Sequence, residues 1–247
     1  MNLQHLNEPD LISHLCADIQ LLANLTGFAI DTAFPYPEQP YSHSSLLATN
    51  LPRSKLGLNP QERPGDIDIL LLPLKNGALV REKIVAIEVK VIRQTQDKPS
   101  KNANSLGATQ AYGLVRDGFP FVGLLHISLP EPSPADTLKS YPVFAFPPPG
   151  TPGLIDTGRS LPRDPFPLEC AKRQSGRLAK LDLPEYLAYS SIALGLSCCR
   201  GRVKEITREY AKNGAKSPQT KISLLEGIDQ LRQKEPHLFQ EINWCSS

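Results

Sequence analysis

Residues 84–92 constrain the fold most, because two charged residues interrupt an otherwise apolar run there. The run reads Ile-Val-Ala-Ile-Glu-Val-Lys-Val-Ile and predicts a β-strand buried in the core. Side chains alternate between the two faces of a strand, so Glu88 and Lys90 leave by the same face. Because burying an unpaired charge is costly, the strand predicts an ion pair, a hydrogen-bond network or a bound cation beside it.

A second strand is predicted directly upstream, at residues 66–72, and a turn follows it. The two strands together predict a β-hairpin. Asp66 and Asp68 share one face of the upstream strand, while apolar residues occupy the other face. The hairpin can therefore place acidic side chains beside Glu88 and Lys90.

The remaining segments alternate between helical and extended patterns. The predicted elements are a helix over 9–25, a strand over 28–34, an irregular connection over 35–64, a helix over 104–116, an apolar strand over 119–129, a helix or strand over 184–196, and helices over 201–212 and 219–233. This order predicts an α/β or α+β protein in which helices flank a central mixed sheet.

Proline divides the chain into unequal parts. Eleven prolines between residues 130 and 167 predict a loop excursion with at most short strands, such as one at 143–146. We therefore expect a single domain over residues 1–247. Its expected parts are a core over 9–129, a proline-rich excursion over 130–167 and a basic helical C-terminal part over 168–247.

The formal net charge of +2 hides an uneven distribution. Residues 171–221 contain eleven Lys or Arg and four Asp or Glu, a local balance of +7, which predicts a phosphate-binding surface. A solvated helix surface explains the same stretch equally well. The expected nucleic-acid contacts are Lys172, Arg173, Arg177, Lys180, Arg200, Arg202, Lys204 and Arg208.

The ends of the chain and its cysteines indicate the expected compartment. The N-terminal residues lack a basic stretch followed by an apolar run, and no segment approaches the roughly 20 apolar residues of a membrane span. Five scattered cysteines predict reduced thiols. These features predict a cytoplasmic protein with no membrane partner.

Asp68, followed on the next strand by Glu88-x-Lys90, resembles the signature of the PD-(D/E)xK nuclease superfamily, also called the restriction-endonuclease-like fold. The resemblance covers roughly residues 9–129, as helix, hairpin, helix and strand. It implies that Asp68 and Glu88 bind a divalent metal with help from the Val89 carbonyl. It also implies that Lys90 orients or activates the attacking water. The literal Pro-Asp of the signature is absent.

Further site residues follow from the same resemblance. Several nuclease families of this fold have a glutamine on the helix after the hairpin, which implies a catalytic or orienting role for Gln110. Some members carry an acidic residue on the first helix, where Asp18 is the best match and Glu8 and Glu38 are weaker ones. Asp66 is expected to support the metal ligands without binding the ion.

The residue types suit phosphodiester hydrolysis without any reference to a family. The reaction requires charge neutralisation at the phosphate and a nucleophile near neutral pH, and carboxylate-held Mg²⁺ or Mn²⁺ supplies both. The compact charge of Lys90 can hold a hydroxide or donate to a phosphate oxygen. The expected function is metal-dependent cleavage of nucleic acid, with DNA favoured over RNA.

Several alternatives stay open at the level of sequence. Asp68 and Glu88 can be half-exposed residues of a solvated hairpin, with Lys90 as their ion-pair partner. Gln110 can be a surface residue, and Asp18 can cap a helix or form a salt bridge. The chain can then be a non-catalytic nuclease-fold module that binds nucleic acid or protein, or an accessory subunit that needs a partner. A homodimer is equally open.

Other catalytic classes lack their motifs. The vicinal pair Cys198-Cys199 does not have the C-x-x-C spacing of a zinc site, and the histidines form no ligand cluster with it. The sequence contains neither a G-x-S-x-G elbow nor a G-x-x-x-x-G-K-[ST] phosphate loop. We therefore expect neither a serine hydrolase of that type nor ATP use within this chain.

Overall fold

The computed structural model describes residues 2–34, 44–59, 61, 65–102, 107–148, 152–197 and 202–244. Within these ranges, the α-helices are α1 (Glu8–Cys16), α2 (Ile19–Ala33), α3 (Ala108–Asp117), α4 (Phe166–Ala179) and α5 (Ile222–Lys234). The strands are β1 (Ser44–Leu51), β2 (Ile67–Lys75), β3 (Ala78–Leu79), β4 (Val85–Ile92), β5 (Phe121–Ser128), β6 (Lys139–Ala145), β7 (Ile155–Arg163), β8 (Leu187–Leu196), β9 (Val203–Lys212) and β10 (Gln240–Asn243).

A mixed sheet connects most of these strands, in the order β10-β1-β2-β4-β5-β8-β9, with β3 paired to β2. β1, β2 and β4 form an antiparallel meander, whereas β4, β5 and β8 run parallel. Parallel neighbours need long crossovers, and α3 and α4 lie in the two crossovers here. The chain is therefore an α/β protein whose central mixed sheet is flanked by helices, as predicted.

Helices cover both faces of the sheet. α1 and α2 pack on the face that carries Ile69 and Ile87. α3 and α5 pack on the face that carries Leu70 and Ala86. Strands that are buried on both faces are apolar along their whole length, which explains why β4 and β5 stand out in the sequence. The same burial makes the charges of β4 exceptional.

Several sequence predictions are confirmed. β2 and β4 pair antiparallel, and β3 and a short 3₁₀ helix connect them. α3 ends at Gly118, whose φ of +109° suits glycine at a helix C-terminus. The fully buried Arg53 donates to both carboxylate oxygens of Asp117, which anchors this end of α3. The apolar segment 184–196 contains the strand β8.

The N-terminal helix differs from its prediction. α1 ends at Cys16, and Asp18 starts α2 as its N-cap by accepting hydrogen bonds from the N–H groups of Gln20 and Leu21. α2 then continues to Ala33, so the strand predicted over 28–34 is wrong. A helix that is apolar around most of its circumference gives no clear helical periodicity, and the second half of α2 is buried in this way.

Later segments contain more strand than predicted. The connection predicted over 35–64 includes β1, and the proline-rich excursion includes a two-stranded sheet of β6 and β7. The helix predicted over 201–212 is instead β9, which pairs antiparallel with β8. The C-terminal part is therefore not a helical appendage, because β8, β9 and β10 extend the central sheet at both edges.

Two smaller expectations concern thiols and membranes. Cys16 and Cys170 are buried free thiols, and burial raises the pKa of each to about 12. The other three cysteines lie outside the described residues. No helix within the described ranges is long and apolar enough to cross a bilayer.

Candidate active site

The site forms where the β2–β4 ladder opens. On the β4 side, the regular pairing ends at Ile87. Beyond it, the Val89 N–H donates to Asp68 Oδ2 at 2.7 Å, so a carboxylate replaces the backbone of the neighbouring strand. Two residues later, the Val91 N–H donates to Glu8 Oε2 at 2.8 Å. Two carboxylates therefore line the edge of β4 that no strand pairs with there, and they satisfy its N–H groups.

This opening also orients the Val89 carbonyl. Residues in an antiparallel ladder offer their N–H and C=O groups toward the same neighbouring strand. Because the Val89 N–H points at Asp68, its carbonyl oxygen lies along the same edge. The carbonyl predicted as a metal ligand is thus directed to the side that carries Asp68.

Glu88 and Lys90 lie together on the face that packs against α3, as the alternation of β4 predicts. Glu88 is only 2% exposed. Lys90 Nζ lies 2.8 Å from Glu88 Oε1 and 3.7 Å from Glu8 Oε1. One ammonium group is therefore shared between two carboxylates, with Asp68 close enough to influence both partners.

The carboxylic acids hold protons more tightly than usual. Burial, together with the negative charge of Asp68, raises the pKa of Glu88 to about 8, although Lys90 opposes the shift. Burial likewise raises the pKa of Asp68 to about 6, against the stabilising hydrogen bond from Val89. Glu8 adds further repulsion to both groups.

The charges of the site do not balance. Burial disfavours the Lys90 ammonium, but Glu88, Glu8 and Asp68 more than offset it and raise the pKa of Lys90. Three acids surround this one cation. Additional positive charge would relieve the repulsion among them, and hard carboxylate and carbonyl oxygens suit Mg²⁺ or Mn²⁺.

The donor set fits a sparsely ligated ion. Among the described residues, no group of three or more His, Cys, Asp or Glu side chains is arranged to hold a metal. Mg²⁺ is usually bound through one or two carboxylates and keeps several waters. Asp68, Glu88 and the Val89 carbonyl meet that requirement, whereas they would be too few for a structural zinc site.

Glu8, and not Asp18, is the acid that the first helix contributes. Asp18 is an exposed helix cap and lines a cavity between the α1–α2 segment and β9. The capping alternative is confirmed for Asp18, and Asp18 is not among the charges that shift the pKa values of Asp68, Glu88 or Lys90. Glu8 begins α1 directly after its N-cap, Asn7. The Asn-Glu-Pro sequence could have indicated this role of Glu8. It places Glu8 in the first turn of the helix, where its side chain can contact a neighbouring strand.

The other two predicted site residues, Asp66 and Gln110, are more exposed than Glu88. Asp66 is exposed and precedes β2, and its charge is one of the weaker influences that raise the pKa of Asp68. Gln110 is partly exposed on the first turn of α3. Among the described hydrogen bonds, none joins Gln110 to Glu88 or Lys90. Its role in the site therefore stays a prediction.

Gly107 is a residue that the sequence reasoning missed. It precedes α3 with φ at +72°, in the left-handed region that favours glycine. A Cβ atom at this position would lie 2.9 Å from Lys90 Cγ and 3.0 Å from Leu124 Cδ1. Gly107 therefore lets the start of α3 press against the Lys90 side chain, which limits where the ammonium can move.

Two basic side chains of α4 donate to backbone carbonyls, while their contact with phosphates stays a prediction. Arg173 donates to the Pro99 carbonyl, and Arg177 donates to the carbonyls of Ser100 and Lys101. The buried Gln174 also donates to the Lys101 carbonyl. α4 thereby fastens the segment that leads from β4 toward α3. Arg173 and Arg177 therefore hold this segment in place through its backbone carbonyls.

The other predicted phosphate contacts that the structure describes lie on or beside α4 and β9. Arg202 and Lys204 line the cavity of about 740 Å³ beside Asp18. Lys172 is exposed on α4, and Arg200 lies outside the described residues. Arg208 donates to the Asn24 carbonyl. Their role in phosphate binding stays a prediction.

Comparisons with known proteins add no relative. No family model, curated protein or solved structure matches this chain. The residues and geometry of the site therefore carry the functional assignment.

Proposed function

We propose that this chain is a metal-dependent nuclease of restriction-endonuclease-like fold that cleaves DNA. The observation that carries the proposal is the meeting of Asp68, Glu88 and Lys90 at the open end of the β2–β4 ladder. The surrounding order of helix, antiparallel meander, helix and parallel strand supports the same assignment. Hydrolysis of a phosphodiester is the reaction class that this donor set suits best.

Each residue then has a defined task. Asp68, Glu88 and the Val89 carbonyl hold Mg²⁺ or Mn²⁺. When bound, the ion offsets phosphate charge and makes water a stronger nucleophile near neutral pH. Lys90 orients the attacking water or donates to a phosphate oxygen. Glu8 fixes the β4 edge through Val91 and keeps the Lys90 ammonium near Glu88.

One observation favours a second candidate, a nuclease-fold module that binds without catalysis. The contact of 2.8 Å between Lys90 Nζ and Glu88 Oε1 partly compensates the buried charge without any metal. If that pair is purely structural, titration calorimetry will detect no binding of Mn²⁺ to the wild type. Undiminished DNA binding in EDTA would then favour the module.

Cleavage of supercoiled plasmid in Mg²⁺ or Mn²⁺ tests the nuclease directly. We expect nicking by the wild type and its loss in Asp68→Asn, Glu88→Gln and Lys90→Met. Asp10→Asn is the matched control, because Asp10 is an exposed acid two residues after Glu8 on α1 and has no place in the site. Persistent activity in all three site variants would refute the assignment.

An accessory role predicts a different pattern. The purified wild type would then bind Mn²⁺ but cleave only after a partner protein is added. The site variants would lose the restored cleavage, while Asp10→Asn would keep it.

A further inference from the structure

The β6–β7 sheet is a ribbon whose side chains face solvent almost throughout. The two strands pair antiparallel and join no other strand among the described residues. Within the described ranges, the exposed large apolar side chains number seven, and six of them lie on this ribbon or at its tip. The six are Tyr141, Phe144, Phe146, Leu154, Ile155 and Leu161. Phe146, at the tip, is 90% exposed.

One face of the ribbon combines two of these apolar groups, Tyr141 and Leu161, with positive charge, whereas Phe144 lies opposite Asp156 on the other face. Residues that lie opposite each other in an antiparallel pair share a face. This face carries the cross-strand pairs Lys139–Arg163, Tyr141–Leu161 and Val143–Arg159. Three cations therefore surround an exposed aromatic ring, and these three pairs include no acid. Arg163 also lies 3.3 Å from Glu205, which leaves Lys139 and Arg159 as the cations of this face that no acid of the described residues contacts.

The root of the ribbon is fastened to the segment that leaves the candidate active site. The Glu131 N–H donates to the Gln94 carbonyl at 3.0 Å, and Gln96 donates to Ser133 Oγ at 2.8 Å. Asp164, which follows β7 at the same root, accepts from the backbone and side chain of Ser133. Gln94 follows Lys90 by four residues. At about 3.3 Å per residue, the root lies within roughly 15 Å of Lys90 along the chain.

We propose that the ribbon binds unpaired DNA next to the cleavage site, through base stacking on Tyr141 and Phe146 and phosphate contacts from Lys139 and Arg159. The choice of ligand rests on the proposed nuclease function. Exposed aromatic rings interleaved with cations are the means by which proteins bind single strands without sequence preference. In a duplex the neighbouring pairs cover the base faces, so only unpaired bases offer a face to these rings.

Fluorescence anisotropy with a labelled oligothymidylate of about 16 nucleotides, in EDTA to prevent cleavage, measures this contact. We expect Phe146→Ala and Tyr141→Ala each to weaken binding about ten-fold, the typical effect of losing one stacked base. Ile222→Ala is the matched control, because Ile222 is 73% exposed on α5, away from the ribbon. It should bind like the wild type.

Phe146→Leu separates stacking from simple apolar contact. Leucine preserves hydrophobic area but lacks a ring, so it should bind as weakly as the alanine variant. If Phe146→Leu binds like the wild type, the surface recognises apolar groups and the stacking proposal is wrong. Equal affinity for a duplex of the same length would also overturn it, as would ribbon-dependent binding to phosphatidylserine vesicles in place of the oligonucleotide.

Salt dependence tests the two cations. Each phosphate contact to a single strand contributes about 0.7 to the slope of log affinity against log salt. Lys139→Gln and Arg159→Gln should each reduce the slope by about that amount, whereas the exposed Lys234→Gln on α5 should not. An unchanged slope in both ribbon variants would refute the phosphate contacts.

Failure of the ribbon and failure of the nuclease are distinguishable. Strand binding in EDTA and plasmid cleavage in Mg²⁺ are measured separately on the wild type and on the ribbon variants, so each proposal has its own readout. Ribbon variants that cleave but show undiminished strand binding would overturn only the ribbon proposal. A wild type that binds through the ribbon but never cleaves would overturn only the proposed nuclease.

Discussion

Two antiparallel strand pairs of this protein place side chains against their solvation preference, one by burying charges and the other by exposing aromatic rings. The β2–β4 pair lies in the sheet and buries carboxylates, with Glu88 only 2% exposed. The β6–β7 pair projects from the sheet and exposes aromatic rings, with Phe146 90% exposed. Both arrangements oppose the solvation preference of the side chains. A bound ligand would offset the unfavourable solvation in each case. A cation would do so for the buried carboxylates, and the faces of nucleic-acid bases would do so for the exposed rings.

The basic residues of α4 show why this criterion is more informative than charge alone. The stretch around Arg173 and Arg177 has the strongest local charge in the sequence, yet these side chains donate to loop carbonyls. Their placement satisfies them within the fold, so no ligand is needed to explain it. A buried charge without enough compensating charge, or an aromatic ring exposed to water, indicates a ligand more specifically than the number of charged residues does.

The largest expected effect is at Glu88. Glu88→Gln should reduce metal-dependent cleavage by about 1,000-fold or more, within the range typical of lost catalytic groups. It should also raise the stability of the metal-free protein by about 1–2 kcal/mol, a Tm increase of roughly 2–8 °C, because three acids compete for Lys90. Differential scanning calorimetry in EDTA checks this. A lower Tm would mean that Glu88 stabilises the fold as an ion-pair partner.

The next largest effect is expected at Gly107. Gly107→Ala places a Cβ atom against Lys90 and should lower kcat about 100-fold, the order expected for a catalytic group displaced by about 1 Å. Gly176→Ala on α4 is the control, because a Cβ there meets no atom within 4 Å. Steady-state cleavage rates compare the two variants. Equal rates would show that the Lys90 position does not depend on Gly107.

Glu8 should have a smaller effect on the same reaction. Glu8→Gln weakens the support of the β4 edge and should reduce metal affinity or activity about ten-fold, as for other residues that orient ligands. Asp18→Asn retains a good helix cap and should leave both unchanged. Calorimetric titration with Mn²⁺ compares the variants. A larger loss in Asp18→Asn than in Glu8→Gln would reverse the assignment made here.

The buried acids also predict a pH dependence of stability. The folded-state pKa values of Glu88 and Asp68, about 8 and about 6, exceed their ordinary values of 4.5 and 3.8, so the folded protein binds more protons. In EDTA, stability should therefore rise as pH falls from about 8 to about 5. Tm measured across this range should rise less in Glu88→Gln. An identical profile would exclude Glu88 as the titrating group.

The smallest effect is expected on the stability of the ribbon variants. Phe146→Ala removes a side chain that is almost wholly exposed, so the free energy of unfolding should change by less than about 0.5 kcal/mol. Thermal unfolding checks this beside Glu88→Gln. A marked decrease would show that Phe146 packs against the protein, and the contrast between the two strand pairs would then disappear.

Local patterns account for the part of the site that sequence predicted. Glu88 and Lys90 share a face because side chains alternate along a single strand. Asp68 could be added because it lies on the strand directly upstream in the sequence. Glu8 contacts Val91 across a separation of 83 residues, which no local pattern encodes. Gly107 is also hidden, because its importance lies in the approach of Lys90 and not in the loop itself.

The same holds for the fold: elements with a clear local pattern were predicted, whereas elements that depend on distant partners were not. β4 and β5 were predictable because strands buried on both faces are continuously apolar. β9 was mistaken for a helix, since its mixed charges suit an edge strand as well as a helix surface, and only pairing with β8 decides. Prolines concealed β7, because a two-stranded ribbon outside the main sheet tolerates Pro142 and Pro162.

The position of β10 beside β1 has a consequence for synthesis on the ribosome. β1 precedes every other described strand along the chain, whereas its outer partner, β10, follows all of them. Until β10 has emerged, the nascent chain carries an unpaired strand edge, which is a template for association with other chains. Slow translation or crowded polysomes should therefore favour aggregation through β1, and C-terminal truncation before β10 should leave that edge permanently open.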